Sequence, residues 1–63
     1  MKIIEVHTVI VFDSISSDMV AFEDFYKAME YIKENKFIYG GKKWAIKDGA
    51  NIFLLGQKCP LKD

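Results

Sequence analysis

The spacing of apolar residues changes within the first half of the chain. Residues 3–12 and 19–22 are rich in β-branched and aromatic side chains, which is typical of strands. Residues 25–32 instead repeat with a helical period, and Asp24 stands where a helix N-cap is expected. The apolar stripe of this helix consists of Phe25, Ala28, Met29 and Ile32. The pattern therefore predicts a β-hairpin that leads directly into an amphipathic helix.

Strand patterns return in the second half of the chain. Gly40-Gly41 predicts a sharp bend, and residues 42–47 then alternate, so that Trp44 and Ile46 point away from Lys43 and Lys47. Asp48-Gly49 is a strong hairpin signal. It is followed by a partner strand over residues 51–57, in which Gly56 marks a bulge or a close approach. Pro60 ends the regular structure, and we expect frayed residues after it.

These elements predict an α+β fold in the order β-β-α-β-β. The simplest architecture is a two-layer sandwich, with an antiparallel sheet of about four strands and one helix packed on one face. Sixty-three residues predict a single domain, 1–63. The expected core residues are Phe25, Ala28, Met29, Ile32, Trp44 and Ile46. Residues 9–12 and 52–55 carry apolar side chains on both faces of their strands. We therefore expect the second face to meet another subunit, a partner or a more tightly rolled sheet.

The composition narrows the classes of chemistry. One cysteine excludes an internal disulfide, and one histidine leaves too few ligands for a His/Cys zinc site. Nine lysines balance nine acidic residues, so the net charge gives no steering toward nucleic acid or membranes. The chain has no arginine, the residue best suited to bidentate recognition of bases and phosphates. From these counts we expect no cofactor and no metal.

Each candidate catalytic group has a simpler structural explanation. His7 and Glu5 lie on one face of a strand, where a solvent-facing pair is far more common than a catalytic one. The serines of the 13–18 cluster lack a nucleophile elbow, and turn and cap roles account for the nearby carboxylates. Cys59 has no histidine near it in the sequence. The sequence therefore predicts that the protein is not an enzyme.

The N-terminus and the apolar runs indicate a cytoplasmic protein. Glu5 and His7 interrupt the first apolar residues too early for a signal peptide, and no run approaches the length of a membrane span. An unpaired cysteine suits a reducing compartment. The lysine-rich, arginine-free composition suits a low-GC bacterium or its phage.

Nucleic-acid binding is the alternative function. Glycines expose backbone N–H groups, lysines attract phosphate, and a tryptophan can stack on a base. The segment 40–47 combines all three features, although it does not match a P-loop. It would bind RNA or single-stranded DNA through Lys42, Lys43, Trp44 and Lys47.

Protein–protein interaction is the preferred function. The apolar content exceeds what one helix on one small sheet can bury, and tyrosine is enriched at interfaces. The predicted interface residues are Val9, Val11, Tyr26, Tyr31, Tyr39, Phe53 and Leu55. We expect a phage-encoded or accessory regulator or inhibitor that docks on a larger host protein. The contact is made by the sheet face or by β-augmentation of an edge strand, and a homodimer displays the binding surface.

Overall fold

One helix and five antiparallel strands make up the structure, a computed structural model that describes residues 1–12, 17–35, 37–49 and 51–62. The elements are β1 (Lys2–Phe12), β2 (Ser17–Phe22), α1 (Phe25–Asn35), β3 (Ile38–Asp48), β4 (Asn51–Leu54) and β5 (Gln57–Cys59). The strands form one sheet in the order β2-β1-β3-β4-β5. The predicted α+β class is confirmed, and β5 is an additional strand.

The helix begins after Asp24 as the sequence predicts, and it continues beyond the predicted stripe of residues 25–32. The backbone N–H of Tyr26 donates to Asp24 Oδ1 over 2.9 Å, which satisfies one of the unpaired amides of the first turn. The helix ends at Asn35, whose side-chain amide donates to the carbonyl oxygen of Tyr31 over 3.0 Å. The predicted turn at 13–18 falls partly outside the described residues, since only 17 and 18 are described, as the start of β2.

Gly40 and Gly41 lie inside a strand, so the predicted bend there is wrong. The pairing of β1 with β3 shifts between Thr8 and Val9, where Gly40 is the extra residue of a β-bulge. A Cβ atom on Gly40 would lie 2.8 Å from Thr8 Oγ1, and Gly41 has a φ of 106°. Glycine therefore allows the strand to continue through the bulge, and Tyr39 and Lys42 face the same side of the sheet.

The helix packs on one face of the sheet, here called the helix face. Its core contains the buried side chains Val9, Val20, Phe22 and Ala28. Tyr31 also packs in this core, with its ring centroid 5.2 Å from that of Phe22 and 5.0 Å from that of Phe37. The helix therefore covers β2 and the adjoining ends of β1 and β3.

The opposite face, here called the inner face, is closed by the curl of the sheet. Its buried cluster consists of Val6, Ala21, Ala45, Ile52, Leu54 and Cys59, with Leu61 packed against it. The tail after β5 reaches β2: Ala21 N–H donates to the oxygen of Pro60 over 2.9 Å, and Lys62 N–H donates to the oxygen of Ala21 over 2.7 Å. The prediction that the residues after Pro60 are frayed is therefore wrong for Leu61 and Lys62.

A two-residue turn joins β4 to β5. Leu55 and Gly56 have φ angles of 51° and 82°, the left-handed conformation that a type I′ hairpin turn requires at both positions. Leu54 pairs with Gln57 across this turn. The glycine predicted as a bulge thus belongs to a hairpin, which brings Cys59 beside Ile52 on the inner face.

Three of the expected core residues lie at the surface. Trp44 and Ile46 share a face as predicted, but they are 69% and 44% exposed, and Phe25 is also exposed. The buried residue of that strand is Ala45, which lies on the inner face opposite Ile4. The curled sheet leaves limited room at this inner position, so a small side chain fits there while Trp44 points outward.

Candidate interaction surface

The helix is too short to cover the face on which it packs. Eleven residues of helix extend about 16 Å, whereas the 11 residues of β1 extend about 36 Å. Because the helix lies over β2 and the C-terminal part of β1, the N-terminal part of β1 and the strands paired with it remain uncovered. The fold therefore leaves an open area on the helix face.

This open area carries an apolar surface that we call the outer patch. It consists of Ile3, Trp44, Ile46 and Phe53. Ile3 lies opposite Ile46, and Ile46 lies opposite Phe53, so three apolar side chains cross three adjacent strands. Ile3 is 70% exposed, comparable to Trp44 beside it. Large aromatic and aliphatic side chains exposed together are typical of protein-binding surfaces.

One ion pair separates the outer patch from the helix. Lys42 Nζ lies 3.0 Å from Glu5 Oε1, and both side chains are well exposed to solvent. The two residues flank the patch because Glu5 lies opposite Trp44 and Lys42 lies opposite His7. A pair this exposed contributes under about 1 kcal/mol to folding. It therefore gives the patch a polar rim of one acid and one base.

The predicted interface residues are not brought together. Val9 is fully buried under the helix, and Val11, Tyr31 and Tyr39 are half-buried around the same core. Tyr26, Phe53 and Leu55 are accessible, but only Phe53 belongs to the outer patch. Ile3 and Ile46 were missed as surface residues because an apolar alternation shows which side chains share a face and does not show which face is covered.

The lysines of the predicted nucleic-acid site do not share a face. Lys42 lies on the helix face and pairs with Glu5, whereas Lys43 lies opposite Val6 on the inner face. Lys47 Nζ lies 2.7 Å from Glu23 Oε1. Only Lys42 therefore accompanies the exposed ring of Trp44.

His7 is packed as a core residue. Its Nδ1 lies 3.1 Å from the hydroxyl oxygen of Tyr39, and its ring meets that of Phe25 edge-on, with the centroids 5.2 Å apart. The neighbouring carboxylate of Glu5 is paired with Lys42. Every buried side-chain nitrogen or oxygen of the described residues has a hydrogen-bond partner. Nothing in this geometry presents an imidazole to a substrate.

The described acidic residues near the 13–18 cluster and the start of the helix do not form one site. Asp24 caps the helix, Glu23 accepts from Lys47, and Asp13 lies outside the described residues. Across the four described ranges, no group of three or more His, Cys, Asp or Glu could hold a metal ion. Within the same ranges, no helix is long and apolar enough to cross a membrane.

An open groove of about 680 Å³ borders the inner face. Its lining includes Ile10, Met19, Lys43, Leu54, Cys59 and Pro60. Cys59 Sγ donates to the carbonyl oxygen of Met19 over 3.2 Å, and burial raises the pKa of this thiol. A neutral, hydrogen-bonded thiol is a poor nucleophile. The groove therefore offers no activated group for covalent chemistry.

The raised pKa of Cys59 predicts a loss of stability in alkali. Its contribution is complete below the ordinary thiol pKa of about 8.5. The contribution is lost as the pH rises through the higher pKa of the folded state, because the unfolded thiol ionises first. Urea unfolding at a series of pH values should therefore show a steeper alkaline decline for the wild type than for Cys59→Ala. Parallel declines would contradict this assignment.

Comparisons with known proteins give no relative. No family model, no curated protein and no solved structure matches this chain. The outer patch and its surroundings are therefore the basis for assigning a function.

Proposed function

We propose that this protein is a small protein-interaction module without catalytic activity. In this proposal it acts in the cytoplasm as a phage-encoded or accessory regulator or inhibitor. It docks on a larger host protein through the outer patch. The observation that carries the proposal is the exposure of Trp44 within an apolar area that the helix leaves uncovered.

The outer patch has the chemistry of a binding hot spot. Tryptophan is the residue most enriched among side chains that dominate binding energy, and such residues are usually central, with a polar rim. Here Ile3 and Ile46 lie beside the indole, and Glu5 and Lys42 form the rim. The matching partner surface would hold an apolar pocket for the indole, with one acidic and one basic group at its edge.

The face of the sheet is favoured over the edge of β2 as the contact. At Ala21, the outer edge of β2 is already hydrogen-bonded to the tail through both its N–H and its carbonyl oxygen. A peptide that added a strand there would have to displace Pro60 and Lys62. Docking on the outer patch requires no such displacement.

The proposal is tested by comparing binding to three matched forms of the protein. Wild type, Trp44→Ser and Leu55→Asn are immobilised, and host proteins retained from a lysate are then purified and titrated by calorimetry. Leu55→Asn is the control because Leu55 is exposed outside the patch, and asparagine tolerates its positive φ. We expect Trp44→Ser to weaken binding about 30-fold or more. Equal affinity of all three forms, or no patch-dependent partner, would contradict the proposal.

Nucleic-acid binding remains the alternative because the exposed Trp44 lies on the same face of the sheet as Lys42. The division of the lysines between two faces and their pairing with Glu5 and Glu23 weaken it. We therefore expect no binding of RNA or single-stranded DNA oligonucleotides by fluorescence anisotropy at low salt. A dissociation constant of about 1–100 μM that rises steeply with salt would favour the alternative instead.

A further inference from the structure

We propose that a second copy of this chain covers the outer patch in the free protein. The two copies pack face to face about a two-fold axis, and the interface buries the Trp44 side chain of each copy. This inference rests on the proposed function, since it assigns the same surface. It goes further because it says what covers the outer patch when no larger protein is bound.

The area of the outer patch suits a dimer interface. An aromatic side chain such as Trp44 buries roughly 150–250 Å². With the exposed parts of Ile3 and Ile46 added, the exposed apolar area of these three residues is about 400 Å². That is as large as the largest apolar patch of a typical monomer. With the half-buried Phe53 and the Glu5–Lys42 rim, the surface approaches the roughly 800 Å² that each partner contributes to a stable interface.

The charges of this surface are complementary to themselves. In a two-fold interface the same surface meets itself, so every charge must find its opposite on the other copy. The rim carries one carboxylate, Glu5, and one ammonium, Lys42, both accessible. Glu5 of each copy can therefore pair with Lys42 of the other, and no like charges are forced together. A chain of zero net charge adds no long-range repulsion between copies.

Self-association has a consequence for the docking activity. If the dimer buries Trp44 of both copies, then the dimer and the complex with a larger protein compete for one surface. Only the monomer binds the target, and the apparent affinity falls with the fraction of protein held as dimer. Dimerisation also shields an apolar surface that would otherwise be in contact with water.

The test measures the mass of the purified protein by sedimentation equilibrium from micromolar to about 1 mM, the weak limit of a specific association. We expect the mass to approach twice 7.3 kDa for wild type and Leu55→Asn. Trp44→Ser should raise the dimer dissociation constant about 30-fold or more. Circular dichroism of each variant confirms folding, which these exposed positions should not affect.

A pair of charge-reversal variants tests whether Glu5 of one copy pairs with Lys42 of the other. Glu5→Lys places two lysines on the rim of each copy, and Lys42→Glu places two glutamates there, so each variant alone should dimerise at least about tenfold more weakly. A one-to-one mixture should regain dimerisation, because each lysine of one copy then meets a glutamate of the other. Restoration in the mixture supports the exchange of Glu5 and Lys42 partners across the interface.

These experiments distinguish a failure of the dimer proposal from a failure of the proposed docking function. A wild-type mass of 7.3 kDa at every concentration overturns the dimer but leaves the proposed docking function standing, because docking is measured with a different protein. A dimer that is insensitive to Trp44→Ser and to both charge reversals overturns the assignment of the outer patch as its interface. Loss of docking with an intact, Trp44-dependent dimer contradicts the proposed function alone.

Discussion

Replacing Ile52 by alanine should remove most of the folding free energy of this protein. Ile52 is fully buried on the inner face, in the cluster that contains Val6 and Ala45. Removing its side-chain atoms leaves a cavity around a fully buried position, which typically costs 2–5 kcal/mol, here about 3 kcal/mol. A domain of this size rarely has more than about 3–5 kcal/mol in total.

Urea unfolding followed by far-ultraviolet circular dichroism measures this loss. Ile38→Ala is the matched control, because it makes the same chemical change at a side chain that is 56% exposed in the same sheet. We expect the control to cost less than about 1 kcal/mol. Similar losses for the two variants would show that the inner face is not the main core.

Ending the chain at Cys59 should destabilise the protein almost as strongly. The removed segment supplies two backbone hydrogen bonds to Ala21, the half-buried side chain of Leu61 and the ammonium of Lys62 placed 5.3 Å above the centre of the Tyr31 ring. Hydrogen bonds of about 1 kcal/mol each, with apolar burial and a cation–π contact, total about 3 kcal/mol. The edge of β2 is then open to solvent.

The truncated protein reports this opening through Cys59. Its thiol is buried and hydrogen-bonded to Met19 when the tail is in place, so reaction with a disulfide reagent should be much faster after truncation. A chain that ends at Lys62 keeps both hydrogen bonds to Ala21 and is the matched control. Equal reaction rates and equal stabilities of the two truncations would contradict a structural role for the tail.

The local elements of the fold follow from local chemistry, and so they could be predicted. Asp24 caps the helix because its carboxylate accepts the Tyr26 amide, and Gly49 adopts the positive φ that a turn requires. These features depend on residues a few positions apart. The bulge at Gly40 could not be predicted in the same way, because it depends on how the strand meets Thr8, 32 positions earlier in the chain.

The sequence pattern could not predict toward which face the sheet curls. The alternation around Trp44 correctly places Trp44 and Ile46 on one face, with Lys43 on the other. It also suggests that the apolar side is inside. The structure instead buries Ala45, because the sheet curls toward that side and the tail closes it. This closure depends on Leu61 meeting Ala21, a contact over 40 residues that no local pattern records.

The same error explains why the candidate surface was only partly predicted. Counting apolar residues correctly indicates more apolar surface than one helix can cover. It does not indicate that Val9 lies under the helix while Ile3, six residues earlier in the same strand, lies beyond its end. That distinction depends on the length of the helix and on its position over β2. The residues that we propose for binding are therefore those that the helix does not reach.

We propose that the outer patch is the binding surface, and Trp44 reports on it directly because it is the single tryptophan of the chain. The decisive measurement is quenching of its fluorescence by acrylamide, first in dilute free protein and then in the bound form. We expect quenching typical of an exposed indole in the free protein, since the residue is 69% exposed. Quenching should fall several-fold when a partner or a second copy is bound. An indole that is equally accessible in both forms would contradict the claim.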